Sequence, residues 1–406
     1  MKEITGGVTA AKGYQAAGIY AGIKKKRKDL ALIVSSVPAK GAGTFTTNVV
    51  KAAPVKWDMK VTKESDYVQA VILNSGVANA CTGKLGDENN FIMAQEVAAA
   101  LHIPTEAVYT ASTGVIGKQL PIEVITAGIH EIVGELSDTL EAGSLAAESI
   151  MTTDTYPKEC AVSFMVGDKE VRIGGMAKGS GMIHPNMATF LGVVTTDLAI
   201  TKELLQAALS EDVKNTFNMI SVDRDTSTND SLLLLANGLA GNPEIIEMDE
   251  NYDNFCKALN IVTSKLAKLM AADGEGATKL LEVTVTGAAS KEEAVTLSKS
   301  IITSNLVKTA VFGNDANWGR ILCAMGYSGV TFDPDTVDLS IESIDGKLKL
   351  VENGMATDYS EELATKLLSA KEVKAIADVK MGSATATAWG CDFSYDYVKI
   401  NADYRS

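Results

Sequence analysis

Ala188-Thr189, a small residue followed by a hydroxyl amino acid, heads the apolar run Phe190, Leu191, Gly192, Val193, Val194. Breaking the bond between them would place a hydroxyl nucleophile and a free α-amine on one residue. Threonine with its own amine as base is a self-sufficient nucleophile that needs no histidine. An Ala-Thr pair taken alone more often just begins a core strand, and the run after it does read as one. The peptide bond is inert, so scission would need Thr189 Oγ placed against the Ala188 carbonyl and donors for the oxyanion that forms. Attack would shift the acyl group from nitrogen to oxygen, and water would then hydrolyse the ester. Gly179 and Gly181 ease the required distortion. The freed amine, with a reference pKa of roughly 7.7 to 8.0, would be able to take the hydroxyl proton in a second acyl transfer.

The donors for such an oxyanion have a candidate in Ser112-Thr113-Gly114, where a hydroxyl and a glycine N–H stand side by side. The same triplet equally fits a hydroxyl-rich loop with Gly114 at a special backbone angle. Lys178, eleven residues before Thr189, and Glu275, in the turn Asp273-Gly274-Glu275-Gly276, are charges near chemistry-bearing segments. Taken singly, either reads as a solvated side chain.

Other constellations are weaker. Asp223-Arg224-Asp225-Thr226 spells the DxDxT of aspartyl-phosphate phosphatases, but the segment before it reads as a helix rather than a strand, leaving a turn held by Asx and hydroxyl bonds. Lys178 to Gly181 lacks the spacing of a phosphate loop, and GxSxG is absent. His102, His130 and His184 have no metal-ligand spacing, and Cys81, Cys160, Cys256, Cys323 and Cys391 form no CxxC, so neither a metal site nor a disulfide framework is expected. His184 reads as shaping the Pro185 turn, with tuning of the nucleophile as the alternative.

The 406 residues are 46% hydrophobic with a net charge of -14, ordinary globular values that argue against a nucleic-acid partner. Lys24 to Lys28, KKKRK, reads as a solvated turn or strand end, with an anion patch or localisation signal as the alternative. The start lacks the apolar stretch of a secretion signal, and no run approaches a membrane span, so a cytoplasmic protein without membrane partner is expected.

These residues need elements to hold them. Asp249 to Ala271 and Thr201 to Ile220 read as helices, the second with Thr201 at its N-cap. Leu232 to Ala236 suits a core strand. Leu339, Ile341 and Ile344 face Leu348 and Leu350 across Asp345-Gly346 as a hairpin. Ala384 to Trp389 and Phe393 to Ile400 read as paired strands. The mixture points to an α+β fold with layered sheets, and nothing marks an interdomain linker.

Several blocks, in order, resemble the ornithine acetyltransferase family, the self-processing glutamate N-acetyltransferases of arginine biosynthesis. They are GGVTAAKGYQAAGIYAGIKKKRKDLALIVS near the N-terminus, GTFTTNVVKAAPV, VILNSGVANACTG, STGVIG, MTTDTYPK, KGSGMIHPNMAT, SVDRDTSTNDS, DGEGATK, FGNDANWGRILCAMGYSG and the terminal NADYRS. The resemblance implies an α-β-β-α sandwich of the self-processing DmpA/ArgJ-like type and cleavage into 1–188, with the oxyanion hole, and 189–406, starting at the nucleophile. It implies two copies of each fragment in a heterotetramer. It assigns Thr189 as nucleophile, Thr113 and Gly114 as oxyanion donors, and Thr152, Lys178, Thr189, Glu275, Asn401 and Ser406 as substrate contacts. Lys178 is the candidate cation for an α-carboxylate, and Glu275 the candidate anion for the ornithine ammonium. The implied substrates are N-acetylornithine and glutamate, with no metal or cofactor and with acetyl-CoA as a second donor left open. The nearest rival is an aminopeptidase of the same fold that passes the acyl group to water.

Overall fold

The computed structural model describes residues 1–184 and 190–403, and Ala188, Thr189 and Ser406 lie outside them. The chain divides into two compact units whose sequences interleave. The first comprises 1–179, 185–218 and 225–266, and the second 180–184, 219–224 and 267–406. The division expected from the scission, 1–188 and 189–406, concerns covalent fragments. The compact units follow different boundaries.

The first unit is built on nine strands among the described residues. In spatial order these are Lys2–Ile4, Lys158–Val166, Lys169–Lys178, Leu191–Thr196, Ser231–Ala236, Leu30–Phe45, Val68–Val77 and Val108–Val115, with Tyr14–Ile19 pairing to Leu30–Phe45. Leu30–Phe45 links two layers. Its first half pairs with Tyr14–Ile19 and Val68–Val77, a register shift follows between Val34 and Ala39, and its last six residues pair with Ser231–Ala236.

Alternation along the strands shows the layering, because successive side chains point to opposite faces. Ala31, Ile33, Val71, Leu73, Tyr109 and Ala111 share one core with Leu191, Val193, Leu233 and Leu235 from the other sheet. Leu30, Leu32, Ala70, Ile72 and Val108 turn instead to Met93, Val97, Ile125 and Ile129, on helices Gly83–Leu101 and Ile122–Ile132. Beyond the other sheet lie helices Lys202–Asn215 and Glu250–Ala272. Gln206 bonds both the N–H and the carbonyl of Gly43, and a Cβ on Gly175 would lie 3.2 Å from Leu266. This unit is the α-β-β-α sandwich.

The second unit has one seven-stranded sheet, ordered Met355–Ala356, Gly346–Glu352, Asp338–Ser343, Glu372–Asp378, Leu280–Ala288, Ala384–Cys391, Ile220–Ser221. Leu281, Val283, Val373, Ala375, Ala386 and Ala388 bury one face against helices Lys291–Ile302, Asn305–Phe312, Trp318–Gly326 and Glu361–Leu368. The other face is polar. There Glu282 pairs with Lys268 at 3.1 Å and accepts from Trp389 Nε1 at 2.9 Å.

Three sequence expectations change. The segment expected as a second C-terminal strand is a helix, Tyr395–Ala402, started by Ser394, whose hydroxyl accepts from the Asp396 N–H. Tyr397 and Ile400 are three apart, which suits a helix as well as an apolar strand. The stretch before Asp223 ends in a short buried strand, Ile220–Ser221, because the helix expected to reach Ile220 stops at Asn215. The hairpin forms, but Ser343 pairs with Gly346, so Ile344 and Asp345 are the turn and Ile344 is 97% exposed.

Candidate active site

In the first unit the candidate oxyanion donors sit at the end of a parallel strand pair. Val68–Val77 and Val108–Val115 run in register with Ser75 beside Thr113 and Gly76 beside Gly114. Gly114 has φ +130, and a Cβ there would lie 2.3 to 2.7 Å from the Gly76 and Val77 backbone. No L side chain fits without moving main chain. Amides lock the turn below: Ser112 Oγ donates to Asn74 Oδ1 at 2.6 Å, Asn74 Nδ2 to the Val77 carbonyl at 2.9 Å, and Asn229 Nδ2 to the Ser112 carbonyl at 2.8 Å.

Lys178 ends strand Lys169–Lys178 and is buried. Its Nζ lies 3.5 Å from Thr113 Oγ1 and 4.0 Å from Asp154 Oδ2. Asp154 is the centre of this cluster. Its Oδ1 accepts from Lys158 Nζ at 2.7 Å and from the Gly179 N–H at 2.8 Å, and its Oδ2 from the Thr152 N–H at 3.1 Å. Burial alone would raise this carboxyl, but Lys178, Lys158 and these bonds hold it down to about 2. Asp154 therefore remains an anion that ties Thr152, Lys178 and Gly179 together. Within its block, MTTDTYPK, the family resemblance singles out only Thr152. The missed signal was Asp154 with Lys158 four residues on, and the strand register sets Lys158 opposite Ala177, next to Lys178.

The basic run is not simply solvated. The buried Asp29 carboxylate accepts from the Ala21 and Lys24 N–H groups at 2.7 and 2.8 Å and folds the run back. Lys24 Nζ then donates to the Met151 carbonyl at 3.0 Å, and Arg27 Nη1 reaches the Thr152 carbonyl at 3.4 Å.

In the second unit Glu275 and Asn401 come together. Glu275 is buried, its N–H donates to the Ser180 carbonyl at 3.0 Å, and its Oε2 accepts from Asn401 Nδ2 at 2.7 Å. Among the described residues no lysine or arginine pairs with it. A Cβ on Gly181 would lie 2.2 to 2.3 Å from the Glu275 carboxylate, so a larger residue there would displace that side chain. Ser180 Oγ donates to the Asp273 carbonyl at 2.6 Å, and Ser394 Oγ to that of Gly276 at 2.5 Å, clamping the acidic turn at both ends.

Asp223, of the DxDxT pattern, accepts from the Met182 and Ile183 N–H groups at 2.7 and 2.8 Å, so this carboxylate anchors a turn. His184 Nδ1 lies 3.0 Å from Ser221 Oγ. Burial, then the nearby cations Lys299 and Arg224, lower this imidazole to about 4, so it is neutral at pH 7. Among the described residues no group of three or more His, Cys, Asp or Glu could hold a metal ion, and no helix is long and apolar enough to cross a membrane.

The structure thus brings Thr113, Gly114, Lys178 and Thr152 together in the first unit, and Glu275 with Asn401 in the second. Ala188, Thr189 and Ser406 fall outside the described residues.

Comparison with known proteins matches residues 15–406 to the ArgJ family. The arginine biosynthesis bifunctional protein ArgJ of Caldanaerobacter subterraneus subsp. tengcongensis is 51% identical over 406 residues, spanning 100% of both chains. The protein of that name from Symbiobacterium thermophilum is 52% identical over 409 residues, again with 100% of each covered. The crystal structure of arginine biosynthesis bifunctional protein ArgJ from Bacillus halodurans is 48% identical with a TM-score of 0.45, covering 46% of this chain and 97% of that one.

Proposed function

The chain belongs to the ArgJ family, and on that premise we propose that it is an acetyltransferase of arginine biosynthesis that moves acetyl from N-acetylornithine to glutamate. The observation that carries this reading is the match itself, which spans residues 15 to 406. The geometry of the two units supports individual roles within it.

The chain cuts itself before Thr189, and Thr189 Oγ then attacks the acetyl carbonyl of N-acetylornithine while its α-amine takes the hydroxyl proton. Thr113 and Gly114 donate to the oxyanion, the α-ammonium passes that proton to the departing nitrogen, the C–N bond breaks, and ornithine leaves with its α-amine neutral. Glutamate, entering with its amine neutral, attacks the acetyl-threonine ester and regenerates the hydroxyl. Lys178 receives the α-carboxylate. Glu275, buried and without a cationic partner among the described residues, receives the ornithine ammonium. A buried carboxylate is costly until such a partner arrives. Thr152, Asn401 and Ser406 complete the contacts, and acetyl-CoA serves as a second donor. The exchange uses no metal, takes place in the cytoplasm, and is carried by a heterotetramer of two large and two small fragments.

Mass spectrometry of the purified protein tests the core of this reading. Two fragments are expected, the second beginning at Thr189, with one intact, inactive chain for Thr189→Ala. N-acetylornithine alone should add one acetyl mass to the Thr189 fragment, and glutamate should remove it. A Thr189→Ala variant that still cuts, or transfer without any acetylated fragment in rapid-quench trapping, overturns the mechanism.

A further inference from the structure

We propose that the basic run Lys24 to Lys28 is the surface that receives the phosphates of the second acetyl donor, a polyphosphorylated thioester of the acetyl-CoA type. The proposal rests on the reading that such a thioester acylates Thr189, and adds where its non-reacting end is held.

Position is the first argument. Lys24 reaches the Met151 carbonyl and Arg27 the Thr152 carbonyl, so the run begins at a candidate substrate contact. A Cβ on Gly76 would lie 2.9 Å from Lys24 Cγ, and Gly76 is the register partner of Gly114 in the candidate oxyanion turn.

Preorganisation is the second. Asp29, the acidic residue next to the run, does not neutralise it from outside. It is buried with both oxygens committed to the N–H groups of Ala21 and Lys24, which fixes the fold of the loop. Lys25, Lys26 and Arg27 stay exposed. Lys28 pairs with Glu148 at 3.6 Å, whereas Lys25 and Lys26 make no ion pair among the described residues. Burial lowers the Lys24 ammonium to about 8, against the pull of Asp29 and with the help of Arg27 and Lys178. An arriving anion would relieve that crowding of cations.

Charge balance is the third. The chain carries a net charge of -14, so a multiply anionic donor is repelled by the molecule as a whole. Five consecutive cations reverse the field locally and raise its local concentration. N-acetylornithine, with one carboxylate and one ammonium, has no use for such a surface, so the run distinguishes the two donors. In the step itself Thr189 Oγ attacks the thioester carbonyl, the C–S bond breaks, and the thiolate leaves with the proton held by the α-amine. The resulting acetyl ester is the one N-acetylornithine forms.

Steady-state kinetics of wild type and Lys25→Gln/Lys26→Gln with each donor decide the matter. These two side chains are exposed and make no hydrogen bond or ion pair with Ser112 to Gly114 or Thr152. The ratio of KM for acetyl-CoA to KM for N-acetylornithine is expected to rise about tenfold in the variant. Raising KCl from 50 to 300 mM should raise the acetyl-CoA KM of wild type and move that of the variant much less. Adenosine 3′,5′-bisphosphate should compete with acetyl-CoA in wild type far better than inorganic phosphate does. Wild type that accepts acetyl-CoA with a ratio unchanged by the double substitution overturns the surface while leaving the second donor standing. Wild type that uses N-acetylornithine and not acetyl-CoA overturns both.

Discussion

Asp154 in the first unit and Glu275 in the second are both buried carboxylates in loops, and their surroundings treat them in opposite ways. Asp154 is compensated within the protein by Lys158, by Lys178 and by two backbone N–H groups. Glu275 has one amide, from Asn401, and no lysine or arginine among the described residues. A carboxylate whose charge is already balanced has nothing left to offer a ligand, so its work is to hold neighbours in place. One that is dehydrated and unbalanced is disposed to take a cation from outside. The contrast predicts a positioning role for Asp154 and a binding role for Glu275, where burial alone would rank them together.

Asp154→Asn breaks the comparison hardest. The amide keeps the shape but removes the charge that Asp154 sets against the fully buried Lys158 ammonium, and losing one partner of a buried pair costs about 3 to 5 kcal/mol. Denaturant unfolding should show that loss, with activity falling alongside it. A loss below about 1 kcal/mol would mean that the lysines are solvated or neutral and that Asp154 organises nothing.

Glu275→Gln should do the converse. Stability is expected to stay within about 1 kcal/mol, because no internal ion pair is broken. The kcat/KM for N-acetylornithine should fall about thirtyfold, equivalent to about 2 kcal/mol. The KM for glutamate, which brings no side-chain cation, should change less than threefold. Equal losses for both substrates, or a large fall in stability, would place Glu275 in the same class as Asp154.

Acid gives the smallest effect and sharpens the first half of the comparison. The Asp154 carboxyl is held to about 2 in the folded protein against an ordinary 3.8, so its contribution is whole above about pH 5 and lost as pH falls toward 2. By pH 3 the loss should be about 1 kcal/mol. Wild type should show this component in unfolding measured from pH 5 to 3, and Asp154→Asn should lack it.

Much of this was legible in the chain. The long helix ending at Ala272, the strand Ser231–Ala236 and the hairpin after Asp338 follow from apolar period and turn residues. The grouping of Thr113, Gly114 and Lys178 was reached through family motifs, since spacing alone fitted an ordinary loop. What stayed hidden depends on register and on long-range convergence. Asp154 matters because strand pairing sets Lys158 beside the end of Lys169–Lys178, and no local pattern announces that. The C-terminal helix was missed because apolar residues three apart were read without weighing Ser394 as a cap. The two units were missed because Ser180 to His184 and Met219 to Arg224 belong with residues far later in the chain.

The antiparallel ladder that pairs Lys178 with Leu191 has a consequence for a chain cut between them. Leu191–Thr196 is flanked on one side by Lys169–Lys178 and on the other by Ser231–Ala236, with six residues in register along each border. A nick between them would resemble a nick in a duplex: the strands on either side would still be zipped, and separating them would mean tearing a central strand from the sheet. In the cut form proposed above, strand pairing would hold the second fragment to the first, with no covalent bond between them. Dilution would then not set the two pieces adrift, because every strand pairing that joins them among the described residues lies within one sheet.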